Sequence, residues 1–254
     1  MHLRSQRGRD RTRSGEAMTV AVLFARADSH YKTLNGVDVW DIERDARTWP
    51  GGTPLVAHPP CRAWGRLRHL ARPRPDERAL ALLAVDQVRR FGGALEHPRC
   101  STLWPTCGMP QPGQGRDHHG GWTLGISQHW WGHRAEKLTL LYIVGCAPAD
   151  VPTMPMVLGA ASHVIAMDKS ARVGRGRLTK GMQGWRPEVT KAEREHTPPA
   201  LARWLVDLAS RCEAPTAQHT RISIEKPSST TRFSMGINQT TAGATGCATQ
   251  GISC

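Results

Sequence analysis

Short apolar runs alternate along this chain with longer stretches whose apolar residues recur every three to four positions. Residues 20–24 (VAVLF) are apolar throughout, as a strand covered on both faces requires. Val37–Trp40, residues 54–58, residues 94–96 and residues 140–144 read as further short strands. Residues 75–91 carry a helical period with both ends marked: Pro75 in the first turn, Asp76 and Glu77 where the dipole favours acids, Arg89 and Arg90 in the last turn, and Gly92-Gly93 as the stop. Pro199–Ser210 repeats the period, with Leu201, Trp204, Leu205 and Leu208 on one face. Residues 105–121 are rich in Pro and Gly and read as loop. Strands alternating with helices predict an α/β fold, Rossmann-like, with a mostly parallel sheet and helices on both faces.

The ends of the chain differ from its middle. Residues 1–17 hold five arginines and almost nothing apolar, and from Ala214 onward Thr, Ser, Gly and Gln dominate. Neither stretch offers enough apolar surface to offset chain entropy. The expected organisation is a disordered basic extension over 1–17, one α/β domain over 18–212 and a disordered tail over 213–254. No apolar run approaches the roughly 20 residues that span a bilayer, so no membrane partner is expected. The seven cysteines are odd in number and irregularly spaced, which fits a reducing, cytoplasmic compartment better than a disulfide framework. A formal net charge of +13 and a pI near 10.2 favour a polyanionic partner, nucleic acid first. The chain is read as a monomer.

Candidate chemistry concentrates in VAHPPCRAW, residues 56–64. Residues 54–96 read as strand, loop, helix, strand, a crossover that makes its two strands parallel. Cys61 then follows the first strand and Glu96 ends the second, so both reach the carboxyl edge of the sheet, where open α/β sheets place ligands. Pro59 and Pro60 end the first strand and stiffen the turn that carries Cys61. A thiol beside a carboxylate suits nucleophilic catalysis with an acid or hydrogen-bonding partner; a buried structural cysteine is the plainer alternative. A second alternative is metal binding. His58-x-x-Cys61 and His97-x-x-Cys100 repeat one spacing at two strand ends and together offer the four N/S ligands of a tetrahedral zinc site.

Three segments, in order, resemble motifs of the C5-cytosine DNA methyltransferase family. Pro60-Cys61 resembles its Pro-Cys nucleophile motif, and Glu96-His97-Pro98 its Glu-Asn-Val motif. Residues 132–145 (GHRAEKLTLLYIVG) resemble the Gln-x-Arg-x-Arg segment that runs into an apolar strand. Residues 196–202 (HTPPALA) are similar to the segment that begins the family's last helix. The resemblance implies an S-adenosylmethionine-dependent methyltransferase-like fold and DNA as partner. It implies that Cys61 attacks cytosine C6, that Glu96 holds N3, and that Arg134 or Lys137 balances charge beside them. The base must leave the duplex stack to be reached. For the cofactor it implies a turn after the first strand, at Phe24, an acid at Asp41 or Glu43 for the ribose, and Pro60 at the pocket wall. Phe24 is followed by Ala25-Arg26-Ala27-Asp28-Ser29, with no glycine at the turn. Nucleic-acid contacts are expected from Arg62 and from Arg172, Arg175, Arg177 and Lys180 in a basic, glycine-containing stretch.

Overall fold

A computed structural model describes residues 19–165 and 180–215. Met18, the expected extension over 1–17, and residues 166–179 with Arg172, Arg175 and Arg177 lie outside the described residues; of the expected tail, only 213–215 are described. Six strands form one mixed sheet: β1 (Val20–Leu23), β2 (Val37–Trp40), β3 (Leu55–Ala57), β4 (Gly93–Pro98), β5 (Trp122–Ser127) and β6 (Leu138–Val144), in the spatial order β2-β1-β3-β4-β6-β5. The pairings β1 with β2, β1 with β3 and β3 with β4 are parallel. β6 runs antiparallel to both β4 and β5. Five strands therefore point one way and β6 alone points back.

The helices are α1 (Glu77–Phe91), α2 (Leu103–Thr106), α3 (Lys191–Glu195) and α4 (Pro199–Ser210). Strand alternation sends Leu23, Leu55, Ala57, Leu95 and Tyr142 to one face, where they pack with Ala81, Ala84, Val85 and Val88 of α1. Val22, Val56, Ala94, Leu141 and Ile143 face the other way and pack with Leu201, Leu205 and Leu208 of α4. Burial on both faces is why these strands read as unbroken apolar runs.

Three local differences from the sequence reading have physical causes. β5, residues WTLGIS, is an edge strand with mixed burial, so its pattern carries neither clean alternation nor an apolar run. β4 continues past Glu96 through His97 to Pro98, because β6 keeps pairing there after β3 has ended opposite Leu95. A proline lacking its N–H costs no ladder bond at such a half-open position. The loop expected over 105–121 begins inside the short α2, which includes Pro105 and Thr106. At the far end of the domain, the Glu213 N–H donates to the Gly145 carbonyl (2.9 Å) and ties the chain after α4 to the turn after β6.

Candidate active site

The carboxyl ends of β1, β3, β4 and β5 share one rim, and the reversed β6 begins there. Cys61, four residues beyond the end of β3 at Ala57, is exposed on this rim. Its loop folds back on itself: the Cys61 carbonyl accepts from the N–H groups of Trp64 (3.0 Å) and Gly65 (2.8 Å), and Trp64 is fully buried. Arg62 bonds Glu77, a carboxylate only 1% exposed at the start of α1, and Arg74 approaches the same acid at 3.5 Å. Arg62, expected to contact nucleic acid, thus also fastens the cysteine loop to α1.

Glu96 sits at the centre of a hydrogen-bonded chain. Its Oε2 accepts from His58 Nδ1 at 3.1 Å, and its Oε1 accepts from Gln128 Nε2 at 3.0 Å. His58 Nε2 meets the Tyr31 hydroxyl at 2.8 Å. A carboxylate on Nδ1 places the imidazole proton there, leaving Nε2 to accept from Tyr31. Tyr31 is buried, and its hydroxyl is held well above its ordinary pKa by burial and by the Glu96 charge, so it remains a donor. The Glu96 side chain is only 11% exposed. Burial alone would raise its pKa; the His58 hydrogen bond, the Lys137 charge and the His58 and His97 rings act the other way and carry it down to about 2. Glu96 is therefore a carboxylate at neutral pH.

Lys137 reaches the site because β6 is reversed: its position just before β6 lies on the rim where β4 ends. Its Nζ donates to the His196 carbonyl (3.4 Å), and its charge bears on both Glu96 and Cys61. The Cys61 thiol is pushed up from its ordinary pKa, first by the protein packed around it although the residue is exposed, then by Glu96; Lys137 opposes this. Arg134 turns elsewhere, to Glu193 and His163. Of the two basic residues expected beside Glu96, the structure brings Lys137 there and does not bring Arg134.

A cleft of about 330 Å³ opens beside this site, outside the ends of β1, β2 and β3 and against the start of α1; Phe24, Asp41, Ile42 and Pro60 line it. The chain reverses its strand order between β1 and β3, the switch point at which open sheets bind ligands. Phe24 has φ +61°, a left-handed conformation that glycine favours. The tight turn thus forms without the glycine whose absence stands out in the sequence. Asp41 is buried, bonded to the N–H groups of Glu43 and Arg44 and paired with Lys32 at 2.5 Å. Glu43 is exposed and does not line the cleft. A second cleft, about 500 Å³, lies on the α4 side between Ser29, Trp131, His133 and His196-Thr197-Pro198.

The zinc reading does not assemble. His58 and His97 point to opposite faces of the sheet, both nitrogens of His58 are committed to Tyr31 and Glu96, and His97 is enclosed beside Trp104. Among the described residues, no three His, Cys, Asp or Glu side chains are grouped to hold a metal. Lys180 is exposed. Trp131 is core, its ring tilted against Trp204, and Trp130 packs beside it.

His97 has a consequence of its own. Burial lowers its pKa to about 4, against the pull of Glu96 and the nearby Pro60 carbonyl, and neither ring nitrogen has a hydrogen bond of ordinary geometry. A histidine with a depressed folded pKa stabilises fully above its unfolded value of 6.5 and loses that contribution as pH falls toward 4. Glu96 acts lower, losing its contribution between 4.5 and about 2. Stability should fall by about 3 kcal/mol across the histidine window. Urea unfolding at a series of pH values checks this, and His97→Leu should flatten the decline above pH 4 while leaving the lower limb.

No family model matches the chain, no curated protein matches it, and no solved structure matches it.

Proposed function

We propose that this protein is a DNA cytosine C5 methyltransferase-like enzyme that uses Cys61 as nucleophile. The observation that carries the reading is one juxtaposition: an exposed cysteine, an ionised carboxylate whose side chain is only 11% exposed and a lysine lie on the carboxyl-end rim of the sheet, beside a cleft at the strand switch point. The single reversed strand between β4 and β5 also suits a sheet of the S-adenosylmethionine-dependent methyltransferase kind. Two clefts, one on each side of the strand ends, suit a transfer between two ligands.

Cytosine C5 is a poor nucleophile until a thiolate adds to C6. In this reading Cys61 Sγ forms the bond to C6, and the C5–C6 π pair becomes available at C5. The proton that leaves the Cys61 thiol is taken up at N3, which keeps the ring neutral, and Glu96, with one lone pair left on each oxygen after His58 and Gln128, accepts from that N3–H and from the amino group. Lys137 offsets the remaining negative charge. S-adenosylmethionine, when bound, supplies an electrophilic methyl group. The turn at Phe24, the Asp41 carboxylate, the exposed Ile42 and Pro60 would hold it; the left-handed turn and the buried acid fit that role. Loss of the C5 proton to solvent re-forms the C5–C6 double bond and expels Cys61 as a thiolate, which recovers its proton as N3 gives its own up.

The segment after Cys61 supports a nucleic-acid partner. Arg66, Arg68, Arg72, Arg74 and Arg78 are exposed, and between them Leu67 and Leu70 are 52% and 73% exposed. Arginines serve phosphate contact, and exposed leucines are the kind of apolar wedge that enters an opened base step. The double variant Arg68→Ser/Arg72→Ser should weaken binding of duplex DNA and lower the slope of log K against log salt by about 2. Fluorescence anisotropy across a salt series measures it; an unchanged slope would remove this loop from the interface. For the chemistry, the deciding test is covalent capture of DNA containing 5-fluorocytosine in the presence of S-adenosylmethionine. No adduct and no cofactor binding across varied DNA would favour a DNA-binding relative without activity.

A further inference from the structure

We propose that Tyr31 and His58 are positioning residues for Glu96: a hydrogen-bonded relay that starts in the core beneath α4 fixes the plane in which the carboxylate meets its ligand. The relay stands on distances within the protein; its effect on rate rests on the function proposed above.

The need for a relay comes from soft torsions. Rotation about the last bond of a glutamate or histidine side chain is broad, so the rotamer near the backbone does not set the plane of the carboxylate or of the imidazole. Each plane is set by what the far atoms bond. Glu96 has one donor on each oxygen, His58 Nδ1 at 3.1 Å and Gln128 Nε2 at 3.0 Å. Two donors on two oxygens stop the rotation that either alone would allow. The imidazole is held in the same way, by Glu96 at Nδ1 and by the Tyr31 hydroxyl, 2.8 Å away, at Nε2. Tyr31 is the fixed end. It is 1% exposed, follows β1 in a short turn and belongs to the same apolar cluster as Val22, Val56 and Leu201. The His58 backbone is tied to β1 as well, its N–H donating to the Leu23 carbonyl at 3.0 Å.

The lone pairs left on Glu96 therefore keep one direction. A bidentate acceptor gains fully only when both lone pairs meet their donors together, and a misplacement of about 1 Å costs about a hundredfold in rate. Without the Tyr31 hydroxyl, Nε2 has no partner in an enclosed site and the ring regains its rotation. The hydroxyl is too enclosed to touch a ligand, so its effect passes through His58.

The rate of covalent capture of 5-fluorocytosine DNA, at saturating DNA and S-adenosylmethionine, is measured beside the Kd for the same DNA. Tyr31→Phe should slow capture about tenfold and His58→Leu about a hundredfold, with Kd unchanged. His58→Asn keeps an N–H near the position of Nδ1 but offers Tyr31 no acceptor, and should match Tyr31→Phe. Adding Tyr31→Phe to His58→Leu should cost nothing further, whereas a tyrosine with a structural role alone would add its own loss. Circular dichroism confines the comparison to folded protein. Wild-type capture in folded Tyr31→Phe, or additive losses in the double variant, overturns the proposal. Nitrogen-15 and carbon-13 spectra of the full chain read the relay without DNA. His58 should carry its proton on Nδ1 with Nε2 bare, and Tyr31→Phe should move both the Nε2 and the Glu96 carboxylate resonances; an unmoved Glu96 carboxylate overturns the relay. If wild type captures no DNA, the function proposed above falls and these resonances alone decide the relay.

Discussion

The Cys61→Ser variant should lose covalent capture of 5-fluorocytosine DNA completely and keep wild-type stability. Fluorine at C5 cannot leave as the proton does, so the C6–S bond persists when the nucleophile is right. A serine hydroxyl at the same place is far too weak an acid to provide an oxyanion beside Glu96. Turnover should fall by a factor on the order of 10⁴ or more. Because Cys61 is exposed and its loop is held by backbone bonds to its carbonyl, by buried Trp64 and by Arg62 on Glu77, removing sulfur should leave the midpoint of urea unfolding unchanged. Denaturing gels of the trapped complex, with Cys107→Ser as control, measure the first claim. Retained capture in Cys61→Ser, or its loss in Cys107→Ser, would move the nucleophile elsewhere.

Gly93→Ala should prevent folding. Gly93 opens β4 in the middle of the sheet with φ +124°, and an added Cβ would stand 1.9 Å from the Leu55 carbonyl oxygen and 2.7 Å from the Leu55 nitrogen. Both are backbone atoms of β3, the strand that delivers Cys61, so no side chain can swing aside. A cost above about 4 kcal/mol takes most of the stability of a domain at the lower end of the usual range of about 5–15 kcal/mol. Gly36→Ala, also at positive φ but facing open space, carries only the backbone strain of about 1 kcal/mol. Soluble yield and urea unfolding of the two variants give the contrast; a well-folded Gly93→Ala protein would mean that β3 and β4 can separate at little cost.

What could be read from the sequence was what depends on short range. The runs at β1, β3 and β6 and the periods of α1 and α4 are complete local statements, since both faces of the central sheet are covered by apolar helices. The crossover from β3 through α1 to β4 follows from chirality and length, so the meeting of Cys61 with Glu96 on one rim could be anticipated. The reversal of β6 could not: its apolar run is the same read in either direction, and its orientation is settled by pairing with β4 and the edge strand β5. Lys137 and Gln128 depend on that reversal. Tyr31 carried no signal, because one aromatic residue in a short turn looks like core until its hydroxyl is seen against His58. Paired with Cys61 by spacing, His58 looked like a metal ligand; three-dimensional placement pairs it with Glu96. At Phe24 residue type argues against a tight turn, whereas the structure adopts the left-handed conformation with phenylalanine in place.

The reversed strand also divides the site by mechanical origin. Cys61, His58 and Glu96 come from β3 and β4, at the centre of the sheet with strands on both sides. Gln128 and Lys137 come from a hairpin-like pair, β5 with β6, of which β5 is the outermost strand, and the Gln128 N–H donates to the Lys137 carbonyl at 3.0 Å. Edge strands exchange their amide hydrogens through small openings, centre strands only through large ones. When the β5 edge frays, one carboxylate donor and the nearby cation loosen together while the thiol and the imidazole stay where they are. The two halves of the site are therefore expected to open in different cooperative units, and a ligand bridging them should slow amide exchange along β5.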